Sequence, residues 1–320
     1  MAWACSIAAL ASAPRALSAQ SGTSKEGALF LLVPVGARAV GMGQAVSALE
    51  LGSEAIWWNP AALARLTKSE VAISHSSTIV ATGDALVVVV PAGRAGVVAA
   101  AAYLFNPGQQ DITDPNQATV GTISPRSVVL AASYAATFGP RVSAGVTYKL
   151  VQDRLDCTGS CSVPTFQSTT SAFDVGVQAI GDKDRRLTLA LAVRNVGFRL
   201  QVNDAEQADP LPSRLQAGAQ YLVPSVERLV ANGTLRIGVD VVDRLLAIGN
   251  PSLRVGGEFA YKQEVFVRAG LLDGSGDGSH TALGLGFQRG GFSLDFARAF
   301  GGTLSDAGTS PTYVTLRFRF

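Results

Sequence analysis

Histidine occurs only twice in the 320 residues, cysteine three times and tryptophan three times, and charged side chains make up 16%. So few imidazoles and thiols leave little with which to build a metal centre, and none is expected. His75 and His280 each stand in or beside an extended stretch, and no motif brings a serine and a polar orienter to either, so no catalytic residue is assigned. There is no glycine-rich phosphate cradle and no basic tract, which argues against nucleotide cofactors and nucleic acid. Beyond the first twenty residues no run of about 18 apolar residues occurs, so helical membrane spans are excluded. The chain is nevertheless apolar for one with so few charges: its mean hydropathy is +0.27, and it carries 34 glycines.

Weak hydropathy, abundant glycine and residue-by-residue alternation together describe a β-barrel in a membrane. The last eight residues, Tyr313 to Phe320, carry the pattern in its sharpest form. Val314, Leu316, Phe318 and Phe320 fall on one face of an extended strand, and Thr315, Arg317 and Arg319 on the other. Lipid outside and a polar lumen inside suit such a strand. Tyr313, Phe318 and Phe320, at or near the end, resemble the C-terminal signal that bacterial outer-membrane barrels present to the barrel assembly machinery.

Fourteen strand candidates follow residue 67: 69–77, 84–91, 96–105, 127–138, 141–155, 169–180, 186–196, 213–223, 234–242, 252–262, 265–272, 280–288, 291–300 and 312–320. An even count suits a barrel whose wall must close. The connections alternate. Long ones (106–126, 156–168, 197–212, 243–251, 273–279, 301–311) predict outer loops, and short ones predict periplasmic turns, with only 224–233 breaking the rule; both termini are then expected in the periplasm. Inward positions carry charges of both signs: Lys149, Asp174, Arg194, Arg236, Asp240, Arg254, Glu258, Arg268, Asp295, Arg317 and Arg319. That balance predicts a pairing network across the lumen, since an anion path would show one sign.

The apolar, alanine-rich stretch 1–19 with Leu17-Ser18-Ala19 before Gln20 reads as a secretory signal peptide; its basic n-region is missing, which leaves open a start upstream of Met1. Its removal takes away Cys5. Cys157 and Cys161 then remain as an even pair in an exported chain, which predicts a small disulfide loop. Asp273 to Ser279 sets two carboxylates among small residues but lacks the distal glutamate of a helix-loop-helix calcium site, so an outer loop is expected there.

Residues 20–66 form no strand pattern. Ala28 to Pro34, Gly36 to Gly43 and Ala55 to Leu63 are too apolar to lie in water, and Asn59 is placed to cap a short helix with Pro60 at its first position. A fourteen-stranded bore is too wide for its own side chains to fill, about eight strands being the limit. The expectation is an N-terminal hatch or plug of residues 20–66 inside or across the mouth of the barrel of residues 67–320, with Trp57, Trp58, Asn59, Pro60 and Ala61 as candidate hatch or binding residues.

Gly36-Ala-Arg-Ala-Val-Gly-Met-Gly43, followed by Trp58-Asn-Pro-Ala-Ala-Leu63 and by Leu211-Pro-Ser-Arg-Leu-Gln-Ala-Gly-Ala-Gln-Tyr221, resembles the motifs of the PorV/PorQ family. That family is similar in fold to the FadL-type channels. Ala62 departs from the family's usual glycine. The resemblance implies a non-enzymatic outer-membrane barrel without cofactor, bathed in outer-membrane lipid. It further implies a component of type IX secretion that binds exported cargo proteins and secretion-system subunits through its outer loops. FadL-type relatives imply the alternative, a passive channel for a hydrophobic ligand. The overall expectation is an all-β membrane protein: a fourteen-stranded antiparallel outer-membrane β-barrel with a short helical N-terminal plug.

Overall fold

A computed structural model describes residues 26–161, 165–201, 208–224, 226–274, 279–301 and 310–320. The signal-peptide reading (1–19), the first residues assigned to the plug (20–25) and the centre of the 273–279 loop lie outside the described residues.

Fifteen strands form a single antiparallel sheet: β1 (Glu70–Ser77), β2 (Thr82–Pro91), β3 (Val97–Asn106), β4 (Gln110–Thr113), β5 (Thr119–Phe138), β6 (Val142–Gly159), β7 (Phe166–Ile180) and β8 (Leu187–Gly197), then β9 (Arg214–Val223), β10 (Gly233–Arg244), β11 (Ser252–Tyr261), β12 (Val265–Asp273), β13 (His280–Arg289), β14 (Phe292–Gly301) and β15 (Thr312–Arg319). β1 pairs with both β2 and β15, and pairing of β3 with β5 closes the ring. β4 does not add a stave. It continues the line of β3 along β5, since Phe105 faces Ser127 and Gln110 faces Ile123 on the far side of a break at 107–109. The wall is therefore a closed fourteen-stranded barrel. Closure leaves no edge in lipid and pairs the backbone without water. No helix among the described residues is long and apolar enough to cross a membrane.

Two of the long outer connections turn out to be largely strand. β5, β6 and β7 run past the expected ends at Ser127, Leu155 and Thr169, pairing as far as Gly121 with Gly159 and Leu155 with Phe166. This hairpin rises beyond the rim, and Cys157 and Cys161, 6.1 Å apart at Cα, are disulfide-bonded near its tip. The exceptional 224–233 connection, at the opposite mouth, holds a short helix at Val226–Leu229.

Alternation decides which face each side chain takes. On β15, Thr315 and Arg317 are buried inside, and Leu316, Phe318 and Phe320 are exposed outside. Tyr313 shares the inner face, packed against Ala37, Val40, Ala282 and Ala297, so it lies apart from Phe318 and Phe320.

Residues 26–66 fill the lumen. At the first described residues the chain lies at the outer mouth, where the Gly27 N–H donates to Pro210 O at 3.0 Å. It runs through a tight turn at Leu29–Leu32 and through helix α1 (Ala37–Gly41), which packs on β12, β13, β14 and β15. Helix α2 (Ala55–Trp58) and a tight helical stretch at Pro60–Arg65, seated on β5, β6 and β7, bring it to the mouth where β1 begins. Backbone lies against wall here, and inward glycines make the room. A Cβ at Gly256 would collide with Met42 O, and one at Gly270 with Gly43 N.

Candidate functional site

The inner segment is held by its own turns and by wall carboxylates. Asn59 accepts the Ala61 N–H on Oδ1 at 3.1 Å with Pro60 at the first helical position, as its type and place require, and its amide donates to Ser47 O at 2.8 Å. The Asp240 carboxylate on β10 accepts the Val46 N–H, the Ser47 N–H and the Ser47 hydroxyl at 2.7–2.8 Å, and the Gln216 amide at 2.7 Å. Four donors on one buried carboxylate replace the water that it loses.

Wall charges pair as the mixed-sign pattern predicts. Lys149 lies 2.6 Å from Asp174; Arg268 bridges Glu258 at 2.7 Å and Asp295 at 2.6 Å; and Arg317 joins Asp295 at 2.6 Å. Arg38, from α1, grips Glu258 with two bonds of 2.8 Å. Each pair is buried, so deleting one partner strands the other charge away from water.

Above the plug, towards the outer mouth, a cavity of about 380 Å³ lies between plug and wall. That volume falls in the range of about 300–1,000 Å³ of small-molecule sites. Leu29, Leu32, Val33, Pro34 and Val40 line it from the plug, and Phe105, Leu272, Ala299, Pro311 and Tyr313 from the wall. Its polar lining is spoken for in part: Arg214 makes two 2.9 Å bonds to Glu26, and Arg194 stacks 5.1 Å over Trp58 and donates to Trp57 O. Beneath it, Phe30, Trp57, Trp58, Tyr103 and Val129 surround a void of about 20 Å³. Trp58 donates to Val35 O at 3.0 Å. Trp57 meets Tyr103 edge-on at 5.9 Å, and its indole N–H and the Tyr103 hydroxyl are buried without a hydrogen-bond partner among the described residues.

Of the residues singled out in the sequence, Trp57 and Trp58 line the small void, Asn59, Pro60 and Ala61 lie against the wall at Gly145 and Gly176, and Cys157, Cys161, Phe318 and Phe320 lie elsewhere. The wall residues Phe105 and Leu272 carry no local signal; only pairing register brings them to the site.

Several solved structures match the fold over nearly their whole length. The toluene transporter TbuX of Ralstonia pickettii matches with a TM-score of 0.59 at 12% identity, over 89% of this chain and 98% of that one. The monoaromatic hydrocarbon channel CymD matches with a TM-score of 0.62 at 13% identity, over 90% and 98%. A FadL homologue of Pseudomonas aeruginosa matches with a TM-score of 0.55 at 13% identity, over 90% and 98%. The fold is that of the FadL-like outer-membrane barrels. At these identities the likeness speaks for fold alone. No family model matches the chain, and no curated protein does. A FadL-like barrel with a lipid-facing apolar wall and a filled lumen belongs in the bacterial outer membrane, and its matched structures are those of transporters and channels. None of these three structures is that of a secretion component, the role that the PorV/PorQ resemblance implied.

Proposed function

We propose that this barrel is a passive channel that admits hydrophobic small molecules from outside the cell, with residues 20–66 as its hatch. The carrying observation is the largely apolar cavity between Leu29–Pro34 and the wall, open towards the outer mouth. Outer-membrane lipid and the barrel assembly machinery, which would read Tyr313, Phe318 and Phe320, complete the partners of this reading.

The test is uptake of labelled toluene by cells lacking other hydrophobe channels, with and without the barrel. Faster uptake with the barrel, reduced when Val33→Trp narrows the cavity, is the expected result. Equal uptake in both cells would sink the proposal.

A further inference from the structure

Below the plug, the periplasmic mouth holds a second cavity, of about 440 Å³. Its chemistry differs from that of the outer one: arginine, lysine and glutamine side chains dominate its lining, and Glu50 and Asp295 are its carboxylates. The ion-pair network accounts for only part of this charge. Glu258 already accepts from Arg38 and Arg268, Asp295 from Arg268 and Arg317, and Glu70 from Arg319 and the Ser53 N–H. Those carboxylates are saturated by the arginines that they hold.

Four cations on the same cavity are held loosely or not at all. Arg236 is ion-paired with Glu258 at 3.6 Å and has Glu50 on the same cavity, but it makes no hydrogen bond among the described residues, although a guanidinium carries five N–H donors and this one is only 27% exposed. Arg65 has one long contact, 3.5 Å to Arg141 O. Lys68 and Arg185 face the same space with no partner among the described residues. They come from four separate places in the chain: β10, the end of the plug, the link into β1 and the β7–β8 turn. A concave surface on which eight cations outnumber the carboxylates Glu50 and Asp295 concentrates field lines and attracts anions. Rings of arginine and lysine act in this way in anion-selective pores.

We propose that the periplasmic mouth is a binding site for a multivalent anion, a ligand presenting two or more carboxylate or phosphoryl groups to Arg65, Lys68, Arg185 and Arg236. The site is separate from the outer cavity and does not depend on what the channel carries. Its ligand is either a soluble small anion or an acidic segment of a periplasmic protein, the shared chemistry being clustered anionic oxygens.

The experiment is calorimetric titration of the whole purified barrel in neutral detergent with pyrophosphate and, separately, with a hexaglutamate peptide. Binding that weakens between low and moderate salt is expected, and Arg236→Gln with Lys68→Gln should weaken it about tenfold or more, as loss of charge-assisted bonds predicts. Arg298→Gln, on the outward face, should leave it unchanged. Tighter binding of pyrophosphate assigns the source to a solute, and tighter binding of the peptide to a partner protein. Heat-modifiable mobility on gels confirms that each variant is folded. No binding of either probe to the folded protein, or equal affinity in the double variant, would overturn the proposal.

Discussion

Asp240 on the wall and Ser47 on the plug are joined twice: the Ser47 hydroxyl donates to one carboxylate oxygen at 2.7 Å and its N–H donates to the other at 2.8 Å. The Val46 N–H adds a third bond between the same two bodies. No other described wall carboxylate receives two consecutive plug N–H groups, which makes β10 the point where the plug is pinned.

Asp240→Ala removes the acceptor and leaves buried N–H groups unpaired, at about 1–3 kcal/mol each. The plug, held elsewhere by packing and by Arg38, is expected to loosen while the barrel stays closed. Ion conductance across planar bilayers should rise in the variant. Conductance equal to that of the parent protein would show that the plug is held without this pin.

Gly270→Val would set a side chain where Gly43 N now lies. Backbone cannot yield as a flexible side-chain tip does, so the plug must shift away from β12. The tryptophans outside the signal-peptide reading, Trp57 and Trp58, both sit in the plug and report the shift. Their emission should move to the red, with far-ultraviolet dichroism unchanged; an unmoved spectrum would refute the close approach.

Asp295→Ala leaves Arg268 and Arg317 each short of one partner in the buried network. Removing one member of a buried pair costs about 3–5 kcal/mol. The folded, fast-migrating band on gels should disappear at a lower temperature than in the parent. Asp295→Asn, which keeps an acceptor, should recover part of the loss.

Replacing Cys157 and Cys161 by serine should leave barrel melting unchanged, because the bond closes a loop of sequence separation 4 near the tip of a hairpin beyond the rim. Such a tip opens locally, without the wall. Proteolytic nicking at the hairpin should quicken. A lower melting temperature of the whole barrel would place the bond in the cooperative unit.

Alternation by itself determined the wall. In β15 the order Val314, Thr315, Leu316, Arg317, Phe318 states which atoms meet lipid and which meet the lumen, because a strand in a membrane has two solvents and a period of two. The plug was legible for the related reason that Ala55 to Leu63 is too apolar for water and too short to span, so it had to be enclosed. The Asn59 cap was legible because it is a local bond.

Tertiary structure alone decided the rest. Beyond the rim both faces of β5 and β6 meet water, so alternation fades although the strands continue, and residues 119–126 looked like loop. The bond of Asp240 to Ser47 spans 193 residues, and no local rule selects that partner among the inward carboxylates. The same holds for Arg65, Lys68, Arg185 and Arg236: each is an ordinary surface cation in sequence, and only closure of the ring around the plug sets the four on one cavity. Faces follow from local periodicity, whereas partners across the lumen follow from register and closure, which are properties of the whole sheet.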